Sequence, residues 1–267
     1  MKALEAVITV NAIHDLGLVA WLAVAATFLL AGGVKGVVGL GLPTVAMGLL
    51  GLFLPPAQAA VLLLLPSFVT NIWQMGSGGW GAPLWAAARR LWSLQLGVVV
   101  GTLCSPVGLA NLDARLGALG LGLALLVYAV CGLGALRLAV PPRWQAWASP
   151  LVGVATGVVT AATGVFVFPA VPYLQGLGMD KDRLVQAMGL SFLVSTLALA
   201  WRLAADGAMP AASLGTLGLG VLPLLMALLG MGLGQRLRQR LSEARFRRVF
   251  FAGMGVVALQ LLFKGAA

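Results

Sequence analysis

The chain has 267 residues, of which 61% are hydrophobic and only 9% are charged. An ordinary soluble domain carries about 25% charged residues, so this composition excludes a soluble globular protein and indicates one that crosses a membrane. The net charge of +10 does not indicate a nucleic-acid partner, because the basic residues lie between apolar segments and not along one solvated face.

The chain alternates apolar segments with short basic or glycine- and proline-rich connections. Most of these segments approach the roughly 20 residues that a helix needs to cross a membrane. We therefore expect an all-α integral membrane protein with eight to ten helices. The ten segments are 16–34, 36–54, 57–75, 91–110, 115–136, 150–163, 164–178, 184–201, 211–234 and 246–263.

The first two segments meet in a stretch, residues 32–43, that holds five glycines, a proline and a lysine. Helix-breaking residues at membrane depth must lie against protein or a water-filled cavity. The density of Gly39, Gly41 and Pro43 exceeds what helix packing requires, so we expect an opened backbone that offers N–H donors to a substrate. We expect a broken helix in the region 16–54.

Lys35 lies beside this break and has two interpretations. It could offer positive charge to an anionic substrate next to the free N–H groups of a helix start. Alternatively, a short loop joins two full spans, and Lys35 reaches the cytoplasmic surface. The sequence leaves both open.

The segment after the Pro55–Pro56 turn carries polar residues on one face. Ser67 lies near the membrane midplane if the helix starts at Gln58, and Asn71 follows it at i+4. Ser191 and Ser195 form a matching pair later in the chain. These four are candidate substrate-binding residues, whereas Gln58 and Gln186 are weaker candidates and fit helix-start or interface positions better.

Residues 139–149 are interpreted as a cytoplasmic linker, because they combine a Pro-Pro turn with interfacial tryptophans. The linker divides the chain into a first repeat, 1–138, and a second repeat, 150–267, each with about five segments. An odd number of segments per half makes the second half enter the membrane from the opposite side. This arrangement is an inverted-topology repeat, which many secondary transporters use.

Matching residues support the duplication. At an offset of 125, Gly32 matches Gly157 and Gly39 matches Gly164. At an offset of 128, polar and aromatic residues match in three further pairs: Gln58 with Gln186, Ser67 with Ser195 and Trp73 with Trp201.

The second copy of the break places Thr160, Thr163 and Gly164 among apolar residues. The two threonines could bind a substrate, although membrane threonines often bond to the backbone of their own helix. The arms 150–163 and 164–178 are each too short to cross a hydrocarbon core of about 30 Å. We therefore expect half-helices or kinked helices in the region 150–178.

A glycine-rich broken segment, a following proline, a proline-rich turn into the helix of Ala57–Ala60, and a second version in the other half resemble the TauE/SafE sulfite exporter family. The resemblance covers nearly the whole chain. It implies transport of a small sulfur-containing anion such as sulfite, sulfoacetate or another organosulfonate. This chain departs from symmetry in the second copy, where Phe166 and Phe168 replace Gly41 and Pro43.

Charge distribution gives the expected orientation. Numbering the loops alternately places thirteen Lys and Arg residues on one side and four on the other. The positive-inside rule makes the first side cytoplasmic and leaves both termini outside the cell membrane. Residues 236–248 form the densest basic run, and we expect them to contact anionic lipid headgroups. A homodimer is left open.

All seven acidic residues fall in predicted loops or tails. No catalytic constellation or metal-ligand cluster lies in a predicted span, so we expect neither an enzyme nor a cofactor. The most consistent function is export of a small sulfur-containing anion by alternating access. Uptake of a small sulfur compound or other anion, and a channel-like pore, are the alternatives.

Overall fold

The computed structural model describes residues 16–134, 139–208, 218–238 and 242–266, and the regular structure within these ranges is helical. A single 3₁₀ turn, Gly76–Gly78, follows the third helix. The ten helices whose bounds fall within the described residues are α1 (Leu18–Val38), α2 (Leu42–Leu50), α3 (Pro56–Met75), α4 (Ala82–Leu103), α5 (Ala114–Leu133), α6 (Pro142–Thr163), α7 (Ala170–Gly176), α8 (Lys181–Ala205), α9 (Val221–Arg238) and α10 (Glu243–Ala266).

Long and short helices follow one another in the same order in the described residues of the two halves. Each half begins with a long helix that ends at a glycine in the left-handed conformation, Gly39 in the first half and Gly164 in the second. Among the described residues, a short helix follows each glycine, and three long helices follow each short one. The predicted breaks are therefore present at both positions.

Six of the helices are long and apolar enough to cross a membrane by length and composition. They are α1, α3 with the turn that follows it, α5, α6, α8 and α10. This finding agrees with the composition, which indicates a multi-pass protein. The helices α4 and α9 fall outside this set, yet each packs along a helix within it.

Glycines bring two pairs of helices from opposite halves together in parallel. In the α1–α9 pair, Gly32 lies against the backbone of Ala227, and Gly36 lies against the backbone of Met231. The α4–α6 pair has the same kind of contact along its length, again with both helices running the same way. The absence of a side chain permits this close approach, as in other membrane helix pairs.

Two other pairs from opposite halves run antiparallel. Asn71 of α3 contacts Thr196 of α8, whereas the last residue of α3, Met75, contacts Gln186 near the start of α8. The helices α5 and α10 likewise pack in opposite directions. Each long helix of one half is therefore paired with a long helix of the other half, and neither half forms a separate bundle within the described residues.

The short helix α2 lies at the centre of the molecule. Eight of its nine residues are buried, and only Leu49 is partly exposed. A helix that is apolar on all sides must be enclosed by other helices. The enclosing helices include α3, α5 and α10.

One end of the bundle is strongly basic. The C-terminal ends of α1, α3 and α9 lie at this end together with the N-terminal ends of α4, α6, α8 and α10. We call it the basic end. Its described basic residues are Arg89, Arg90, Arg143, Lys181, Arg183, Arg236, Arg238, Arg245, Arg247 and Arg248. At the opposite end the described residues include Arg115, Arg202 and Lys264.

The structure corrects two expectations about residues 139–178. Most of the predicted linker is helical, because α6 begins at Pro142 and continues through Pro150. Proline is well accommodated in the first helical turn, where its missing N–H group would have no partner. The arms at the second break are consequently unequal, since α6 has 22 residues and α7 has only 7.

The first break is placed slightly differently from the prediction. The segment 16–34 was expected to end before Lys35, whereas α1 continues to Val38 and therefore includes this lysine. Part of the predicted segment 211–234 lies outside the described residues, and α9 accounts for its later portion.

Candidate functional site

The first break is a tight turn between α1 and α2 made by two glycines. Gly39 has φ 78° and donates its N–H to the carbonyl oxygen of Lys35 at 2.8 Å, which ends α1. Gly41 has φ 105° and immediately precedes α2, in whose first turn Pro43 lies. L-residues with a side chain rarely adopt such φ values, so glycine at both positions is what allows the reversal.

The position of the Lys35 side chain can be compared with the two interpretations of the sequence, a buried site for an anion and a contact with the cytoplasmic surface. Its side chain is buried, with 4% exposure, and points into the bundle. The ammonium group donates to Asn71 Oδ1 at 2.6 Å and to Thr70 Oγ1 at 3.0 Å. Lys35 therefore does not extend to the surface in this structure.

The groups that bind Lys35 are themselves held by further hydrogen bonds. Thr70 Oγ1 donates to the carbonyl oxygen of Pro66. Asn71 Nδ2 donates to Thr196 Oγ1 at 3.2 Å, and Thr196 donates to its own helix. The resulting chain of hydrogen bonds joins α1, α3 and α8 and fixes the position of the ammonium group. We call Lys35, Thr70, Asn71 and Thr196 the lysine network.

The lysine network lacks a negative partner. Lys35 forms no ion pair with any carboxylate among the described residues, where the two ion pairs are Arg183–Asp180 and Arg202–Asp206. An ammonium group has three N–H donors, and the two bonds above leave one. A buried charge is costly unless it is paired, so the site favours an incoming anion.

Buried hydroxyl groups add further hydrogen-bonding capacity. Ser67 lies one turn before Asn71 on α3, and its Oγ is buried without a hydrogen-bond partner among the described residues. Thr44 Oγ1, in the first turn of α2, is likewise buried without a hydrogen-bond partner among the described residues. Buried polar groups are normally hydrogen-bonded, so these two hydroxyls have unused capacity for a ligand.

Gln74 ties the first break to α3. Its Nε2 donates to the carbonyl oxygen of Gly39 at 2.9 Å. Gln186 has a related role at the same end of the bundle, where its Nε2 donates to the carbonyl oxygens of Met75 and Gly79. Gln58 is half-buried in the first turn of α3, and a rise of 1.5 Å per residue puts it about 18 Å along the helix from Thr70 of the lysine network.

The predicted serine pair of the second half lies against α4. Ser191 Oγ accepts a hydrogen bond from Gln95 Nε2 at 2.7 Å, and Ser195 donates to the carbonyl oxygen of Ser191. Both serines are buried. Their helix α8 also supplies Thr196, so one helix contributes both to this pair and to the lysine network.

The second break differs from the first in the side chains that surround it. Gly164 has φ 70° and donates its N–H to the carbonyl oxygen of Thr160, as Gly39 does to Lys35. The hydroxyl groups of Thr160 and Thr163 donate to carbonyl oxygens of their own helix. Phe166 is fully buried against Phe192, with ring centroids 5.4 Å apart. The second break is therefore packed with apolar side chains.

Sequence reasoning missed several residues of the site. Thr70 and Thr196 complete the lysine network, and Gln95 binds Ser191. Each threonine directly follows or precedes a residue that was selected, so an isolated hydroxyl in an apolar helix was the available signal. Gln95 is the only Gln, Asn or Asp in its long apolar segment, which was a signal as well.

Within the described part of the chain, no group of three or more His, Cys, Asp or Glu side chains is arranged to hold a metal ion. The single histidine, His14, lies outside the described residues. The site therefore consists of one ammonium group, hydroxyls and amides. This donor set suits an oxyanion.

Comparison with known families gives one match. The family model described as Sulfite exporter TauE/SafE matches residues 24–261. The match includes both breaks and every helix that contributes to the lysine network. No curated protein and no solved structure shows significant similarity to the chain.

Proposed function

The chain belongs to the sulfite exporter TauE/SafE family, and on this premise we propose that it is a secondary carrier that exports a small sulfur-containing anion. Sulfite, sulfoacetate and other organosulfonates are the substrate class. The family is one of membrane transporters, which agrees with the six helices that could cross a membrane. No enzymatic reaction is proposed for it.

The observation that carries the proposal is the buried ammonium group of Lys35. It lies at the first break with two neutral partners and one N–H donor left over. A sulfite or sulfonate oxygen would supply the missing negative charge and accept that N–H. Charge-assisted hydrogen bonds of this kind are roughly twice as strong as neutral ones.

Ser67 and Thr44 are proposed to complete the oxyanion site. Ser67 shares a face of α3 with Asn71, and Thr44 lies in the first turn of α2, where backbone N–H groups lack acceptors within the helix. A sulfonate group has three oxygens, and we propose that the ammonium group and the two hydroxyls each bind one of them. We propose that Gly39 and Gly41 serve this site by allowing α2 to start beside it.

We propose that the two halves form an inverted repeat and move against each other. The opposite directions of α3 and α8, and of α5 and α10, support this topology. The residues of the lysine network are at most 5% exposed, which corresponds to an occluded state. Alternating access would open the site to one side at a time.

The proposed orientation puts the basic end in the cytoplasm and both termini outside the cell membrane. The excess of Lys and Arg at that end supports it. An inside-negative potential then drives an anion outward with about 2.3 kcal/mol per charge per 100 mV. Contact of residues 236–248 with anionic lipid headgroups, and a homodimer, stay predictions.

The test is anion flux in proteoliposomes that contain the purified full-length protein. Sulfite, sulfoacetate and sulfate are loaded separately, and efflux is followed with and without an imposed membrane potential. We expect saturable efflux of the sulfur-containing anions that accelerates when the loaded side is negative. Non-saturating flux would indicate a pore, and inward accumulation coupled to a second ion would indicate an uptake carrier.

The role of Lys35 is tested with Lys35→Met in the same assay. We expect at least a hundredfold loss of kcat/KM, because the substituted side chain fills the space without the charge. Lys181→Met is the matched control, since Lys181 is exposed at the start of α8. Equal activity of Lys35→Met and wild type would contradict the proposed site.

A further inference from the structure

A cavity of about 180 Å³ lies between α4, α6 and α7 near the basic end. It shares no residue with the lysine network or with either break. Its polar lining includes Arg90 and Ser93 from α4, Gln145 and Ser149 from α6, and Tyr173 from α7. This set is separate from any residue that the transport proposal uses.

The polar groups of the cavity are positioned by contacts with neighbouring helices. Arg90 Nη2 donates to the carbonyl oxygen of Leu177 at 3.2 Å, directly after α7. Ser149 Oγ and Tyr173 OH form a buried hydrogen bond. A guanidinium has five N–H donors in a fork that matches phosphate geometry, so the bond to Leu177 orients Arg90 and leaves other donors for a ligand.

The charge of the cavity is positive. No carboxylate is among its lining residues. Arg89 is exposed beside Arg90, and Arg143 lies over the ring of Trp144 at 5.8 Å from its centroid. One arginine therefore lines the cavity, two more lie next to lining residues in the sequence, and the lining itself holds neutral hydrogen-bonding groups and no counter-charge.

Exposed tryptophans place the cavity at a membrane interface. Trp92 lines the cavity and is 63% exposed, while Trp144 and Trp147 flank Gln145 on α6 and are 47% and 55% exposed. Tryptophan is enriched at the headgroup level of membranes because its ring is apolar and its N–H group is polar. A ligand in this cavity would therefore lie at the depth of lipid headgroups.

We infer that this cavity binds the phosphate headgroup of an anionic phospholipid. Its volume of about 180 Å³ has room for a phosphate with a small polar substituent. The Arg90 fork would bind the phosphate oxygens, and Gln145 and Ser93 would lie within the headgroup pocket. The acyl chains would lie against the exposed tryptophans.

A bound headgroup would also join three helices. The helices α4 and α6 come from different halves of the chain, and α7 follows the second break. Binding to this arrangement and not to an opened one would stabilise it by mass action. This inference does not depend on the identity of the transported anion.

The test is a titration of the full-length protein in detergent, read by native mass spectrometry. Phosphatidylglycerol is compared with phosphatidylcholine of the same acyl chains, and with inorganic phosphate and glycerol phosphate. We expect one tightly bound phosphatidylglycerol per chain and at least tenfold weaker binding of phosphatidylcholine. Equal binding of the two lipids would overturn the inference, and so would glycerol phosphate binding as tightly as the lipid.

Two variants locate the lipid. Arg90→Gln removes the charge, and Ala146→Phe narrows the cavity while leaving Arg90 and its bond to Leu177 intact. We expect each to weaken phosphatidylglycerol binding at least tenfold. Arg183→Gln is the control, because Arg183 is an exposed arginine at the basic end that pairs with Asp180 and does not line the cavity. Wild-type binding by Ala146→Phe would overturn the inference even if Arg90→Gln folds poorly.

Discussion

The two breaks share a backbone design but differ in their chemistry. In both, the N–H of a left-handed glycine bonds to the carbonyl four residues earlier, on Lys35 in the first half and on Thr160 in the second. In the first half the side chain at that position joins a polar network with α3. In the second half it bonds only to its own helix.

The helices that face the breaks differ in the same way. At the offset of 128 residues, Thr70 corresponds to Ala198 and Asn71 corresponds to Leu199. The lysine and both of its partners are thus replaced together in the second half. The difference indicates that both halves require the reversal of the chain, whereas only the first half has a buried charge, at the binding site that we propose.

The largest effect is expected when residues of the first half are replaced by those at the matching positions of the second. The double variant Thr70→Ala with Asn71→Leu leaves the Lys35 ammonium group buried without a hydrogen-bond partner. We expect a loss of about 3 kcal/mol in the free energy of unfolding, because an unpaired buried charge is strongly destabilising. Unfolding in mixed detergent, followed by circular dichroism, measures it.

A rescue experiment separates this explanation from a packing defect. Adding Lys35→Thr to the double variant removes the charge and reproduces the combination of the second half. We expect most of the lost stability to return, whereas anion flux should be lost because the triple variant has no ammonium group at the site. If the triple variant is as unstable as the double variant, poor packing of the introduced Leu and Ala side chains explains the loss instead.

A second pair of variants tests what the halves have in common. A Cβ on Gly32 would overlap the carbonyl oxygen of Ala227 on α9, and a Cβ on Gly157 would overlap the carbonyl oxygen of Val98 on α4. We expect Gly32→Ala and Gly157→Ala to cost about 2 kcal/mol each, as overpacking does. Equal losses of unfolding free energy would support equivalent positions in the two halves.

Gly33→Ala is the matched control for these variants. Gly33 adjoins Gly32 on α1, and a Cβ there would lie 3.8 Å from its nearest neighbour, the carbonyl oxygen of Gly230, which is an ordinary contact. Alanine favours a helix more than glycine does, so stability should be unchanged or increase. A loss as large as that of Gly32→Ala would mean that flexibility of α1, and not close approach, is what its glycines provide.

Much of the first half of the site could be predicted from the sequence. Lys35 and Asn71 are conspicuous because they lie in apolar segments. The glycines and the proline of residues 39–43 predicted the turn that follows Lys35. The partnership of Asn71 with Thr196 could not be predicted, because it depends on the antiparallel packing of α3 against α8. The sequence contains no local signal for contacts between distant helices.

The second half was harder to predict because of its prolines. Pro141 and Pro142 were taken as signs of a linker, and a short arm was expected to begin at residue 150. In the structure Pro142 lies in the first turn of α6, and Pro150 lies inside that helix. Neighbouring helices tolerate such residues by satisfying the freed backbone groups, so the surroundings of a proline decide its effect.

Alanine substitutions of the glycines at the two breaks should change the free energy of unfolding less than the variants above. Gly39 and Gly164 both have positive φ, so an alanine at either should cost about 1 kcal/mol in backbone strain. A Cβ on Gly39 would meet no atom within 4 Å, whereas one on Gly164 would lie 2.9 Å from Met47 Cε. We therefore expect Gly164→Ala to lower the free energy of unfolding more than Gly39→Ala does.

A double-mutant cycle with Met47→Ala identifies the cause of that excess. If the contact with Met47 is responsible, the additional cost of Gly164→Ala disappears when the Met47 side chain is shortened. The cost of Gly39→Ala should be the same in both backgrounds. An excess that persists without the Met47 side chain would place the strain in the backbone of the second break.

The smallest expected difference in the free energy of unfolding is between variants of two glutamines at matching positions. Gln186 is buried and bonds to the carbonyl oxygens of Met75 and Gly79, so Gln186→Leu leaves both without this donor. Unsatisfied buried groups are costly, and we expect a loss of about 1 kcal/mol in the free energy of unfolding. Gln58 is half-buried at the start of α3, and we expect Gln58→Leu to change stability by less than about 0.5 kcal/mol, as most surface substitutions do.

The two glutamines therefore test whether matched residues imply matched roles. The two glutamines match when the halves are aligned in sequence. Gln186 bonds to the turn after α3 and so joins that turn to α8, whereas the start of α3 needs no such bond. Hydrogen exchange of the Met75–Gly79 turn distinguishes the cases, because Gln186→Leu should increase exchange there while Gln58→Leu should not. Equal exchange in both variants would mean that the turn is held by packing, and that the glutamine match reflects ancestry alone.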